Sequence, residues 1–313
     1  MSYIICIPSY KRAQICNEKT LAMLKKNHIS KSLINVYVAN QEEYDEYKKI
    51  LDPSLYNRLI IGKKGIVHQR KLISDSFPKG KCIVSFDDDV KSVDLSMSKH
   101  KTLDAFFKDA FAECKKQKAF VWGVYPVFNP FFRKGQKEIS TCLNYIVAAF
   151  YGYVNRPGLK AIETNLTKEN GQKEDVEMSI KYFINDGIVL RFNRVGFVTK
   201  YYGSSGGLGT FDERLKPMLE ASKVLKKAYP EYGDISTKKT GMTEFRLKKI
   251  PAHTKPGDKP DNNKMDEEDN IIQEKSKKKT KTKEKTKTKK KKTQKKSLKK
   301  HNKTSKKSKG IFF

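Results

Sequence analysis

The stretch Lys81–Asp89 reads KCIVSFDDD, a short apolar run that ends in three adjacent aspartates. Continuous apolar runs rich in β-branched residues are typical of strands buried on both faces of a parallel sheet. In open α/β sheets, ligands bind beyond the carboxyl ends of such strands. The stretch therefore predicts a buried strand that places Asp87, Asp88 and Asp89 at the ligand-binding edge of a sheet.

The sequence before this run alternates between strand and helix patterns. We predict strands over residues 3–8, 34–39 and 58–61, and helices over residues 12–26, 41–51 and 65–76. Such alternation with short connections implies a mostly parallel, Rossmann-type sheet with helices on both faces, which makes the fold class α/β. Beyond it, we predict a strand over the apolar residues 143–151 and a helix over residues 174–183.

The positive charge of the chain falls into two parts. The 313 residues carry 66 Lys and Arg against 35 Asp and Glu, a net charge of +31, of which residues 251–313 contribute +15. This Lys/Thr-rich segment has too little apolar surface to fold, so we predict a disordered basic tail. It could bind phosphates without sequence preference, direct the protein to the nucleus, or only aid solubility. Residues 1–250 are predicted to form one domain with a buried core.

Cysteine usage and hydropathy favour an intracellular location. The five cysteines are scattered and include no C-x-x-C pair, so neither a disulfide framework nor a zinc site is indicated. No secretory signal is recognisable, and the longest apolar run is about half the length of a membrane span. We expect a soluble cytoplasmic or nuclear protein.

The aspartates suggest a metal site. Three adjacent carboxylates repel one another unless a positive charge neutralises them, and Mn²⁺ or Mg²⁺ prefers oxygen ligands and shares its shell with phosphates. The alternative is a solvated acidic turn after a strand. The end of the first strand adds Ser9, a Tyr10 ring that could stack on a nucleobase, and Arg12, which could pair with a phosphate.

The order of these motifs resembles GT-A-fold glycosyltransferases. The motifs are Pro-Ser-Tyr-Lys-Arg at 8–12, G-x-x-x-Q-R at 65–70 and the strand that ends in Asp-Asp-Asp. In that family the acid cluster is the D-x-D motif, which holds a metal and the diphosphate of a nucleotide sugar. The resemblance implies that Asp87 and Asp89 bind the metal. It also implies a nucleotide-sugar site, with a UDP-sugar as first choice, made by Pro8, Ser9, Tyr10, Arg12, Gln69, Arg70, Asp87 and Asp88.

A second acidic motif, at residues 173–179 (KEDVEMS), looks like the E-D motif of inverting GT-A enzymes, which supplies the base for the acceptor. The resemblance makes Glu174 or Asp175 the catalytic base and implies inversion at the sugar. The alternative is ordinary placement of acids in the first turn of a helix, which the helix dipole favours. A third metal ligand is not evident, and His253 is the nearest candidate.

The closer resemblance is to the TET/JBP-associated glycosyltransferases of phages and large DNA viruses. It rests on six motifs: I-P-S-Y-K-R (7–12), F-D-D-D (86–89), G-V-Y-P (123–126), A-F-Y-G (149–152), E-D (174–175) and G-G-x-G (206–209). The resemblance implies transfer of a sugar to hydroxylated bases in DNA. We expect contacts with the acceptor, or a lid, from Tyr125, Asn129, Gly206 and Gly207.

Three other functions stay open on the sequence alone. A glycosyltransferase acting on protein or glycan would use the same donor site. A nucleotidyltransferase would also need metal-bound acids and a phosphate pocket. In a third case the chain is a non-catalytic nucleic-acid-binding protein whose acids are only structural.

Overall fold

In the computed structural model, which describes residues 2–166, 171–199 and 209–258, eight strands form one central sheet. The described strands are β1 (Tyr3–Pro8), β2 (Ile34–Val38), β3 (Arg58–Ile61), β4 (Cys82–Phe86), β5 (Ser92–Asp94), β6 (Val121–Val124), β7 (Ile139–Ser140), β8 (Phe150–Val154), β9 (Leu190–Phe192), β10 (Gly196–Val198), β11 (Gly233–Thr237) and β12 (Thr243–Leu247).

Helices connect most of these strands. The described helices are α1 (Ala13–Cys16), α2 (Ala22–Lys26), α3 (Gln41–Ile50), α4 (Ile66–Asp75), α5 (Leu103–Gln117), α6 (Pro130–Arg133), α7 (Glu174–Asp186) and α8 (Phe211–Ala228). A π-helical turn over Asn17–Leu21 joins α1 to α2 where one continuous helix was predicted. None of the described helices combines the length and apolar character needed to cross a membrane.

The strand order in the sheet is β3-β2-β1-β4-β8-β6-β9-β7. Strands β1 to β4 are mutually parallel, β8 runs antiparallel to both β4 and β6, and β7 runs antiparallel to β9. Six of these eight strands therefore share one direction, which confirms the predicted α/β class with a mostly parallel sheet. Because β1 and β4 are parallel neighbours, their carboxyl ends bring Ser9 and Asp88 to the same edge.

An aromatic core fixes the sheet from one face. Phe86 and Phe150, on neighbouring strands, stack with ring centroids 4.3 Å apart, and Trp122 meets Phe106 of α5 edge-on at 5.3 Å. All four side chains are fully buried, and each such burial stabilises the fold by about 1.5–3 kcal/mol. Gly152 has to be glycine, because a Cβ there would lie 2.3 Å from the Trp122 ring.

The strand predicted over residues 143–151 is wrong in its first part. The chain enters β8 only at Phe150, and residues 143–149 cross the sheet edge without strand pairing. Other elements satisfy their backbone groups: the Leu143 N–H donates to the Ile250 carbonyl, and the Ile146 N–H donates to Ser179 Oγ of α7. The apolar residues here are buried by packing, which an apolar run alone does not distinguish from strand pairing.

Two small antiparallel sheets complete the described fold. One pairs β5 with β10, and the other pairs β11 with β12, a hairpin that packs against α8. Beyond residue 250 the chain still contacts the domain, since the His253 N–H donates to the Gly187 carbonyl at 2.7 Å. Residues 259–313, which hold most of the predicted tail, lie outside the described residues.

Candidate active site

The carboxyl edge of the sheet opens into a cavity of about 1070 Å³, large enough for a ligand of nucleotide-sugar size. Its lining comes from β1, α4, the aspartates that follow β4, α7 and the β11–β12 hairpin. The predicted site residues found in its lining are Pro8, Ser9, Tyr10, Arg12, Gln69, Arg70, Asp87, Asp88, Asp89, Tyr125, Glu174 and Asp175.

Asp88 is held by a chain of hydroxyl groups. Ser9 Oγ donates to Asp88 Oδ2 at 2.5 Å and lies 2.7 Å from the hydroxyl of Tyr47, on α3. That hydroxyl also accepts the Arg12 N–H at 2.9 Å. Tyr47 is fully buried and does not line the cavity. A buried tyrosine therefore fixes the turn after β1 against the acid cluster.

Arg12 lies between two members of the acid cluster. Its Nη1 is 3.4 Å from Asp88 Oδ1 and 3.4 Å from Asp89 Oδ2. Asp89 also accepts a hydrogen bond from the hydroxyl of Thr199, the residue that follows β10. Pairing of β10 with β5 places Thr199 there, because β5 begins soon after the aspartates. Asp89 is thus oriented from two sides.

The main chain of the acid cluster is braced by Thr20. Its Oγ1 donates to the Asp87 carbonyl at 2.7 Å and accepts the Val90 N–H at 2.9 Å. Thr20 is fully buried and lies within the π-helical turn. Such turns insert one extra residue into a helix and often occur at functional sites. Here the turn directs the threonine hydroxyl to both ends of the aspartate segment.

We expect Thr20→Val to destabilise the protein by about 1–3 kcal/mol, because it leaves a buried carbonyl and a buried N–H without their partner. Valine keeps the volume of threonine, so a role in packing alone would make this change harmless. Thr20→Ser keeps the hydroxyl and should be the milder change. Denaturant unfolding gives the free energy of unfolding of both variants. A serine variant less stable than the valine variant would contradict the bracing role.

Arg70 connects the acid cluster to α7. Its Nη2 lies 3.2 Å from Asp87 Oδ1 and donates to the Ala148 carbonyl at 3.1 Å, while Nη1 is paired with the Glu174 carboxylate. The guanidinium also lies over the Tyr151 ring, 5.6 Å from its centroid. One cation therefore joins the two acidic motifs that the sequence places almost ninety residues apart.

Glu174 and Asp175 have different surroundings. Glu174 is 7% exposed and paired with Arg70. Asp175 accepts a hydrogen bond from the Tyr145 hydroxyl and, through Oδ1, from the Val176 N–H at 2.9 Å. Its carboxylate is held at the amino-terminal end of α7, where the helix dipole favours negative charge. Both side chains line the cavity, and Arg70 is paired with Glu174.

Desolvation in the cleft raises three carboxyl pKa values. The pKa of Asp87 is raised to about 7 and that of Asp88 to about 6, with Arg70 and Arg12 respectively opposing the rise. The pKa of Glu174 is raised to about 7, again mainly by burial and against the effect of Arg70. Burial thus outweighs the arginines at all three carboxyl groups, and an added divalent cation would favour their charged form.

These raised pKa values predict that the free energy of unfolding of the metal-free protein falls as pH rises. Between about pH 4 and about pH 7 the folded state keeps protons that the unfolded chain has lost, so deprotonation favours unfolding. Asp87→Asn removes one of these groups and should flatten the decline. Thermal unfolding in EDTA at about pH 5 and about pH 8 tests this. An equal decline in the variant and the parent would contradict the raised pKa of Asp87.

Asp87 and Asp89 fit the oxygen-ligand chemistry of Mg²⁺ or Mn²⁺. Across the described ranges, no three His, Cys, Asp or Glu side chains converge as a complete metal site. Mg²⁺ is usually bound by one or two protein carboxylates, with water and substrate phosphates in the rest of its shell, and these two aspartates could supply that number. His253 is not in the cavity lining; it packs on Gly187, where a Cβ would lie 2.7 Å from its Nδ1.

Gln69 and Tyr10 contribute differently to the cavity wall. Gln69 is buried against Gly62 and accepts the Lys63 N–H through Oε1, so it shapes the loop before α4. Its Nε2 has no hydrogen-bond partner among the described residues. The Tyr10 ring has the ammonium groups of Lys11 and Lys64 within 6 Å of its centroid, at 5.6 and 5.9 Å.

Three of the predicted acceptor or lid residues are not placed in the cavity wall. Asn129 is absent from the lining; its Oδ1 accepts the Phe131 N–H at 3.0 Å and caps α6. Gly206 and Gly207 lie outside the described residues. Tyr125 does line the cavity, with the Arg191 guanidinium 5.1 Å from its ring centroid.

The lining is strongly basic. It includes eleven Lys and Arg against six Asp and Glu, and only Arg12 and Arg70 among these cations were predicted from sequence to belong to the site. Four of the other cations come from the β11–β12 hairpin and the residues after it: Lys238, Arg246, Lys248 and Lys249. A lysine-rich segment late in the chain was the only available signal for them.

No protein-family model and no curated protein sequence matches the chain. Among solved structures, residues 1–349 of TarS from S. aureus are 14% identical, over 74% of this chain and 69% of that one, with a TM-score of 0.43. Mannosyltransferase PcManGT from Pyrobaculum calidifontis, in complex with GDP-Man and Mn²⁺, is 11% identical over 73% and 64%, with a TM-score of 0.43. A UDP-glucose pyrophosphorylase with UDP-glucose is 7% identical over 72% and 100%, with a TM-score of 0.41. At these values the likeness assigns no activity to the chain.

Proposed function

We propose that the chain is a metal-dependent glycosyltransferase of the GT-A type, which moves a sugar from a nucleotide-sugar donor to a hydroxyl acceptor. The observation that carries this proposal is one cavity that brings together three things. These are an aspartate cluster, a basic lining, and a second carboxylate pair on α7. The basic lining would bind the diphosphate, and the aspartate cluster would hold the metal that stabilises the leaving charge. A carboxylate on α7 would remove the acceptor proton.

The diphosphate would lie between the acid cluster and the cations around it. Arg12 and Arg70 flank the aspartates, and the buried Nε of Arg70 has no hydrogen-bond partner among the described residues. Asp87 and Asp89 would hold the divalent cation, which stabilises the negative charge that develops on the leaving diphosphate. The Tyr10 ring would stack on the nucleobase.

In the proposed transfer, the acceptor oxygen forms a bond to the anomeric carbon as the bond from that carbon to the phosphate oxygen breaks. The electron pair of the broken bond leaves on the nucleoside diphosphate. The acceptor proton passes to Asp175, which we propose as the base because its carboxylate lines the cavity and accepts hydrogen bonds from a tyrosine hydroxyl and a backbone N–H. Glu174 is proposed to fix Arg70. Such a single displacement inverts the anomeric centre.

The proposed acceptor is a hydroxylated base in DNA, in keeping with the basic cavity and with the resemblance of the sequence motifs to those of the TET/JBP-associated glycosyltransferases. We further propose that the basic residues 251–313 hold the chain on nucleic acid. Truncation after Asp258 tests that part, and it should give weaker DNA binding with a shallower salt dependence.

The decisive experiment offers UDP-sugars and other activated sugars, with Mn²⁺, to hydroxymethylated DNA, unmodified DNA and protein, with products identified by mass spectrometry. Sugar addition with release of nucleoside diphosphate supports the proposal. Release of pyrophosphate from a nucleoside triphosphate and a sugar phosphate would instead identify a nucleotidyltransferase. Sugar on protein but not on DNA would replace the proposed acceptor, and no turnover of any donor would overturn the proposal.

A further inference from the structure

Four large apolar side chains lie exposed within six residues of sequence next to the cavity. Val127, Phe128, Phe131 and Phe132, which we call the aromatic knuckle, are 42%, 43%, 72% and 51% exposed. The other large apolar side chains with comparable exposure in the described ranges are single residues on separate elements. Single exposed apolar residues are ordinary on protein surfaces, whereas a contiguous group marks a binding surface.

The knuckle is built on a buried anchor. Arg133, at the end of α6, is fully buried, forms an ion pair with Asp94 and donates to the Arg194 carbonyl at 2.9 Å. Gly196 makes room for it, because a Cβ there would lie 2.9 Å from the Arg133 Cζ. With the Asn129 cap and Pro130 in the first turn of α6, these contacts fix the backbone that presents the rings. The rings are therefore held at the surface by a backbone that is anchored to the core.

The surroundings of the rings are cationic. Lys134 and Lys137 follow α6 and are exposed, and Glu138 is the only acid between residues 125 and 138. Two copies of such a surface would bring like charges together, which disfavours self-association. A four-residue helix is also too short to lie along a membrane as an amphipathic helix. Exposed rings followed by exposed lysines match a strand of unpaired nucleotides, whose bases stack and whose phosphates are anionic.

The knuckle also continues into the cavity. Tyr125 and Pro126 just before it, and Gln136 just after it, line the cavity. A strand bound on the knuckle would therefore pass the cavity mouth, where one of its nucleotides could turn inward. The position of the knuckle next to the cavity therefore favours a ligand that is long enough to contact both.

We propose that the aromatic knuckle docks single-stranded nucleic acid, with bases stacked on Phe131 and Phe132 and phosphates near Lys134. The docked strand would carry the acceptor hydroxyl, and this part of the proposal rests on the proposed function. The docking step itself needs neither donor nor metal, so it can be measured separately.

The test uses the full chain and a fluorescently labelled single-stranded DNA of mixed sequence, followed by anisotropy over a range of salt concentrations. The double change Phe131→Ala with Phe132→Ala should weaken binding by about 10- to 100-fold while leaving the salt slope unchanged, because stacking releases no counterions. Lys134→Ala should instead reduce the slope by about one phosphate contact. Ile184→Ala, at a side chain of 50% exposure on α7, is the matched control and should bind like the parent.

Circular dichroism and thermal unfolding establish that each variant is folded before binding is compared. Equal DNA affinity for the double variant and the Ile184 control would overturn the inference. A loss of binding to anionic phospholipid vesicles, or of concentration-dependent dimerisation, without a change in DNA affinity would overturn it in favour of a membrane or a second copy. If the parent chain turns over no donor sugar but the double variant still loses DNA affinity, the proposed function fails while the docking surface stands.

Discussion

Asp89→Asn is expected to lower metal-dependent donor turnover by about 10³-fold, the scale of losing a group that stabilises developing charge. The Asp89 carboxylate lines the cavity and is oriented by Arg12 on one side and by the Thr199 hydroxyl on the other. Asparagine keeps the size and one acceptor oxygen, yet it removes the negative charge that a divalent cation requires. The loss should therefore come from metal binding, with the fold intact.

Two measurements separate this explanation from a general defect. Calorimetric titration with Mn²⁺ should show weaker binding to the Asp89 variant, and release of nucleoside diphosphate should be slow even with saturating donor. Asp45→Asn, on the exposed face of α3, is the matched control and should behave like the parent in both assays. Unchanged Mn²⁺ affinity together with unchanged turnover in the Asp89 variant would remove the aspartate cluster from the proposed mechanism.

The parts of the site that could be predicted from sequence are those formed by residues that are adjacent in the chain. β1 and β3 have the predicted bounds, and the aspartates after β4 lie at the sheet edge as expected, because an apolar run followed by charge is a local pattern. The contact between Arg70 and Glu174 was not predicted, although both residues had been singled out separately. Strand order decides it: α4 leads into β4, and α7 leads into β9, three strands away.

The supporting residues could not be predicted for the same reason. Thr20, Tyr47 and Thr199 are ordinary polar or aromatic residues in their own segments. They acquire a role only when the π-helical turn, α3 and the β5–β10 pair fold against the acid cluster. Strand β11 was missed for another reason, since it has no continuous apolar pattern and is largely exposed. Local pattern thus identifies the candidate site residues better than the residues that hold them in place.

Asp175→Asn should reduce transfer to a hydroxyl acceptor by about 10²–10⁴-fold, the usual contribution of a general base. The donor KM should change little, because the change leaves untouched the cations and the aspartate cluster that we propose to hold the diphosphate and its metal. Glu174→Gln should affect mainly the donor KM instead. It removes the partner of Arg70, so it should raise the donor KM more than it lowers kcat.

Azide as an alternative acceptor distinguishes a base from a residue that only shapes the site. Azide carries no proton to be removed, so the Asp175→Asn variant should transfer sugar to azide at nearly the parent rate. The Asp89→Asn variant should fail with azide as well, since departure of the diphosphate is impaired whatever the acceptor. If Glu174→Gln rather than Asp175→Asn is the variant restored by azide, the two carboxylates exchange roles. In that case the base would be the buried group of pKa about 7 that Arg70 holds.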